Sequence, residues 1–127
     1  MYTVKMKTDF SGAHNLRGYK GKCEELHGHN WKVEAEIRAD KLDNTGMVLD
    51  FTVLKQSLND IMSDLDHKYL NEVGYFRSAN PTSENIARYI YEKLSEKYNE
   101  NDIVKITVWE TDSASATYSK TGCDLSS

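Results

Sequence analysis

Apolar and polar residues alternate along residues 2 to 14. Tyr2, Val4, Met6, Thr8 and Phe10 share one parity, while Thr3, Lys5, Lys7 and Asp9 take the other. A period of two predicts a strand. If the count survives Gly12, where a bulge is expected to be easiest, His14 closes the mostly apolar row. Residues 27 to 39 alternate as cleanly. His27, His29, Trp31, Val33, Ala35 and Ile37 fall on one face, and Asn30, Lys32, Glu34, Glu36 and Arg38 on the other. Between them, Gly18 and Gly21 mark a loop.

From about Asp50 to Leu65 the period changes. Phe51, Leu54, Leu58, Ile61 and Leu65 recur at intervals of three and four, which predicts an amphipathic helix ending at Asp66-His67. A second helix is expected to open at Asn80-Pro81, with Asn as cap and Pro as first helical residue, and Ile86, Ile90 and Leu94 as its stripe. A strand over 103 to 111 places Val104, Ile106, Val108 and Glu110 in one row. A short strand near Ala114 to Ser119 follows. The predicted order is β-β-α-α-β-β. It implies an α+β fold, a four-stranded antiparallel sheet with both helices on one face. Such a sheet has open edges, and pairing between copies would cover them, so a homo-oligomer is expected.

The chain has 127 residues, consistent with a single domain over 1–127. A net charge of -4 argues against a general nucleic-acid or membrane-surface role. No apolar run has the length of a membrane span. The N-terminal stretch reads as a strand, and two cysteines one hundred positions apart do not form a disulfide framework. The expected compartment is the reducing cytosol.

The candidate chemistry concentrates in Cys23-Glu24-Glu25-Leu26-His27-Gly28-His29. On a strand, His-x-His points both imidazoles the same way. His14 can add a third nitrogen, the pattern of catalytic zinc with an open fourth position. The plainer alternative is polar histidines at a sheet end. Cys23 can be a fourth zinc ligand, a thiolate base or nucleophile, or a buried thiol. Asp66-His67 suggests a carboxylate orienting an imidazole, but neighbours at a helix end rarely face each other, and His67 can instead complement the helix dipole. Glu110 ends an apolar row and calls for a partner, either a guanidine-like ring edge or a salt bridge. Arg17, Lys20 and Lys22 either bind a phosphate chain or form a solvated loop.

Taken together, Phe10-x-x-Ala13-His14, Cys23-x-x-x-His27-Gly28-His29-Asn30, Leu49-Asp50-Phe51, Leu65-Asp66-His67-x-x-Leu70-Asn71, Asn80-Pro81-Thr82-Ser83-Glu84-Asn85 and Glu110-Thr111 span nearly the whole chain. In that order they resemble the 6-pyruvoyltetrahydropterin synthase / 6-carboxytetrahydropterin synthase family. The resemblance implies a tunnelling fold, in which three subunits join sheets into a barrel and two trimers stack as a hexamer. It implies zinc on His14, His27 and His29, proton transfer by Cys23, Asp66 and His67, and a pterin edge held by Glu110 with Thr82, Ser83 and Glu84 nearby. The implied substrate is 7,8-dihydroneopterin triphosphate. The short chain and the Cys-x-x-x-His-Gly-His form resemble the bacterial branch that makes 6-carboxy-5,6,7,8-tetrahydropterin for queuosine, releasing acetaldehyde and triphosphate. The alternative outcome is 6-pyruvoyltetrahydropterin. Glu24 beside Cys23 resembles a dual-function subgroup that also yields 6-hydroxymethyl-7,8-dihydropterin for folate, unless Glu24 is a solvated loop residue. A non-enzymatic, zinc-stabilised binding module is the remaining alternative.

Overall fold

The computed structural model describes residues 1–18, 25–99 and 102–120. Strands β1 (Tyr2–His14) and β2 (His27–Ala39) precede helix α1 (Phe51–Ser63). A two-residue strand β3 (Lys68–Tyr69) and 3-10 turns over Leu70–Glu72 and Gly74–Arg77 lead to helix α2 (Ser83–Leu94). Strands β4 (Ile103–Thr111) and β5 (Ala114–Tyr118) follow.

Among the described residues the sheet has five strands in the order β3-β1-β2-β4-β5. The expectation of four antiparallel strands is therefore corrected. Lys68 and Tyr69 pair parallel to β1 at Gly12 and Ala13, a strand too short to show a period. The β1–β2 ladder runs unbroken from Tyr2 opposite Ala39 to His14 opposite His27. Gly12 introduces no bulge, so the parity reaching His14 holds.

The inner face of the sheet carries Phe10, Trp31, Val33, Ala35, Ile37, Ile106 and Val108. It packs against Leu54, Leu58, Ile61 and Leu65 around α1 and Ile86, Ile90 and Leu94 of α2. Helix α1 lies on β1, and α2 lies on β4 and β5. The outer face is polar, with Lys5 and Lys105 both paired to Glu36 and Lys7 paired to Glu34.

Three local expectations change. Ile103, not Val104, meets Ile37 in the core, because the β2–β4 register shifts between Glu36 and Ile37. Phe51 is 56% exposed and outside the helical stripe, since α1 begins there behind its cap, Asp50. Helix α2 is capped by Thr82, whose side chain accepts from the Asn85 N–H, and not by Asn80. The Asn80 amide is engaged with Arg17 instead.

Candidate metal centre

The unbroken ladder decides the site. His14 and His27 are directly paired, and His29 sits opposite Gly12, so three imidazoles collect at one end of two strands. Trp31, two residues further along β2, forms the floor. Its indole is fully buried and donates to the Gly12 carbonyl at 3.1 Å. It meets the His14 and His29 rings edge-on, at centroid distances of 4.9 and 5.2 Å. His14 is itself only 1% exposed.

Glu110 completes the cluster from β4. Its Oε1 lies 3.2 Å from His14 Nε2 and 3.5 Å from His29 Nε2. The β4–β5 register shifts between Trp109 and Thr111, so Glu110 sits at an irregularity of the kind that re-aims a side chain. One ligand atom from each of His14, His27, His29 and Glu110 lies within 4.8 Å of the others. The partner that a carboxylate ending an apolar row requires is thus the histidine group.

The surrounding hydrogen bonds select the protonation pattern. His14 Nδ1 is 2.8 Å from the Pro81 carbonyl, and His27 Nδ1 is 2.8 Å from the Glu25 carbonyl. A carbonyl only accepts, so each Nδ1 carries the proton and, in the neutral ring, each Nε2 presents a lone pair. Those two Nε2 atoms face each other at 3.1 Å. Two lone pairs and a carboxylate oxygen at such range repel unless a cation lies among them. Outer carbonyls that fix the tautomer of a ligating imidazole are the usual surroundings of a metal. The donor set therefore fits a divalent ion that prefers nitrogen and oxygen.

Asp66 and His67 do face each other, contrary to the expectation for neighbours at a helix end. His67 Nδ1 is 2.9 Å from Asp66 Oδ2. The reason is local: His67 has φ of 57°, a left-handed conformation that turns its side chain back. Its N–H donates to the Ser11 carbonyl at 2.6 Å, while the Ser11 N–H donates to Asp66 Oδ1 at 2.9 Å. That Ser11 bond is the main reason the Asp66 carboxyl titrates below the ordinary carboxylate range, with His67 adding to it. The His67 side chain is 81% exposed. His29 and His67 both line one open groove of about 480 Å³, together with Ser11, Asn30, Lys68 and Tyr69.

Thr82, Ser83 and Glu84 form the start of α2, one residue beyond the carbonyl that holds His14. Cys23, Glu24, Lys20 and Lys22 lie outside the described residues. Arg17 is not a loose basic arm: its guanidinium donates to the Phe76 and Ala79 carbonyls. Sequence reasoning missed the supporting contacts of Trp31, Asn71, Asn80 and the Pro81 carbonyl.

Known proteins resemble this chain over most of its length. The profile of the family described as 6-pyruvoyl tetrahydropterin synthase matches residues 3–121. The chain is 41% identical over 101 residues to the 6-carboxy-5,6,7,8-tetrahydropterin synthase of Synechocystis, covering 76% of this chain and 77% of that one. It is 37% identical over 130 residues to the human 6-pyruvoyl tetrahydrobiopterin synthase, covering 91% and 89%. The structure of Caenorhabditis elegans 6-pyruvoyl tetrahydropterin synthase superposes with a TM-score of 0.83 at 30% identity, covering 94% of this chain and 96% of that one.

Proposed function

The chain belongs to the 6-pyruvoyl tetrahydropterin synthase family, and from that premise we propose that it is a zinc-dependent carbon–carbon lyase. Its substrate is 7,8-dihydroneopterin triphosphate and its product 6-carboxy-5,6,7,8-tetrahydropterin, with acetaldehyde and triphosphate released, in queuosine biosynthesis. The observation that carries this reading is the convergence of His14, His27 and His29 beside Glu110. The similarity to carboxytetrahydropterin synthases supports the choice of product.

His14, His27 and His29 would hold the zinc, whose bound charge supplies Lewis acidity toward the side-chain hydroxyls of the substrate. Glu110, one-third exposed, accepts from the amino edge of the pterin ring. Thr82, Ser83 and Glu84 contribute to that end of the site. His67 has its Nδ1 proton directed to Asp66, which leaves the exposed Nε2 to take up or give a proton. Asp66 is anionic at neutral pH and fixes the ring. Cys23 acts as a thiolate that removes a substrate proton.

The full site is assembled between copies of the chain, as a trimeric or hexameric barrel in the cytosol. Two features support this. Strand β3 pairs with β1 only at Gly12 and Ala13, and β5 ends the sheet, so both edges can pair with another copy. His67 is too exposed to work in a water-excluded site without cover.

A second reading rests on Glu24 next to Cys23: cleavage to 6-hydroxymethyl-7,8-dihydropterin for folate. Incubating the zinc-loaded chain with 7,8-dihydroneopterin triphosphate and weighing the pterin product separates them. A 6-carboxy product is expected. A hydroxymethyl or pyruvoyl product would replace this reading, and zinc binding without conversion would leave a zinc-stabilised binding module.

A further inference from the structure

The chain beyond His14 leaves the sheet, yet its backbone is held as firmly as a strand. Asn71 accepts from the Asn15 N–H at 3.0 Å and donates to the Asn15 carbonyl at 2.8 Å. Two residues on, Asn80 repeats the pattern: it accepts from the Arg17 N–H and donates to the Arg17 carbonyl, both at 2.9 Å. Each side-chain amide thus offers one acceptor and one donor to one residue, as a neighbouring strand would.

Asn80 is also fixed through its own main chain. Its carbonyl accepts from Asn85 Nδ2 at 2.9 Å and from the Thr82 N–H at 2.8 Å. The next residue is Pro81, buried and with a ring-locked φ, and its carbonyl accepts from the His14 Nδ1–H. A closed circuit results: His14 ring, Pro81 carbonyl, Asn80 backbone, Asn80 amide, Arg17 backbone, and back along the chain to His14.

We propose that Asn80 is a positioning residue for the metal centre. By clasping the Arg17 backbone it holds the Pro81 carbonyl against His14 Nδ1 and fixes the tautomer and rotamer that aim His14 Nε2 at His27 and Glu110. The inference rests on the metal reading given above, and it concerns a residue that touches neither metal nor substrate. The outer partner of a ligating imidazole, here the Pro81 carbonyl through which Asn80 acts, is worth about 10- to 100-fold in metal affinity.

The test uses the full chain and two readouts. Zinc affinity is measured by competition with a coloured chelator. The tautomer of His14 is read in the metal-free chain from its ring nitrogen-15 shifts. Asn80→Ala should weaken zinc binding by about 10- to 100-fold and convert His14 from one Nδ1-protonated form to a mixture. Asn80→Asp, which keeps the acceptor for the Arg17 N–H but loses the donor, should fall between. Asp43→Ala is the stability control. Asp43 accepts from the Thr45 N–H, the Thr45 hydroxyl and the Met47 N–H beyond the far end of β2, so its loss should lower the melting temperature and leave zinc and tautomer unchanged. Unchanged affinity and a single tautomer in Asn80→Ala would overturn the proposal, as would equal weakening by Asp43→Ala. If the unmodified chain holds no zinc, the metal reading falls. The tautomer then decides Asn80 alone, a mixture in Asn80→Ala upholding its positioning role and a single form ending it.

Discussion

Glu110→Gln removes one negative charge while keeping size and shape. Its consequence for metal binding follows from position. The Glu110 oxygen is 3.2 and 3.5 Å from two of the imidazole nitrogens. An ion held about 2.0–2.1 Å from those nitrogens lies within about 5 Å of the carboxylate. Two unit charges about 4 Å apart interact by about 1 kcal/mol in water and about 4 at an effective dielectric constant near 20; a divalent ion doubles both. Glu110 is 35% exposed, so solvent screening favours the low end, about 2–3 kcal/mol. That corresponds to a zinc dissociation constant weakened roughly 30- to 150-fold. Chelator competition at near-physiological ionic strength measures it, and the loss should shrink in high salt. An affinity within about threefold of the unmodified chain would refute the placement of Glu110 beside the ion, since no plausible screening reduces the interaction so far.

Further outcomes follow from other contacts. Thr82→Ala removes the α2 cap and should cost about 1 kcal/mol in thermal unfolding, with Thr82→Ser restoring it; a loss of pterin affinity in both variants would instead mark the methyl group as a substrate contact. The Asp66 carboxyl titrates below the ordinary carboxylate range in the folded chain, so the stability it adds is fully present above that range and is lost as pH falls through its folded value. Melting temperatures of the metal-free chain from pH 6 to pH 3 should therefore show the advantage of the parent over Asp66→Asn narrowing only at the acid end. Cys23→Ala should retain zinc and lose turnover; full activity in that variant would remove Cys23 from the mechanism.

The long strands and the histidine group were legible because a period of two is a property of sequence alone. Tyr2 to His14 and His27 to Ala39 needed only their parity, and the parity aimed the three imidazoles. Features set by tertiary contacts were not legible. Asn80 looked like a helix cap, but its amide serves the Arg17 backbone, which moves the cap to Thr82. Val104 was expected in the core, and a register shift put Ile103 there. Asp66-His67 left two readings open, a carboxylate orienting an imidazole or separate partners, and a left-handed residue joins the two side chains. Strand β3 has two residues and no period to read. The row ending in Glu110 was visible, while the irregularity beside Trp109 that carries it to the histidines was not.

Zinc-edge X-ray absorption on the zinc-loaded chain tests the central claim most directly. Three histidine ligands predict nitrogen neighbours at about 2.0–2.1 Å with the scattering pattern of imidazole, a light-atom fourth position and no sulfur. A sulfur neighbour at about 2.3 Å would put a cysteine thiolate among the ligands and make the site a closed structural one, contradicting a lyase that works at an open zinc position.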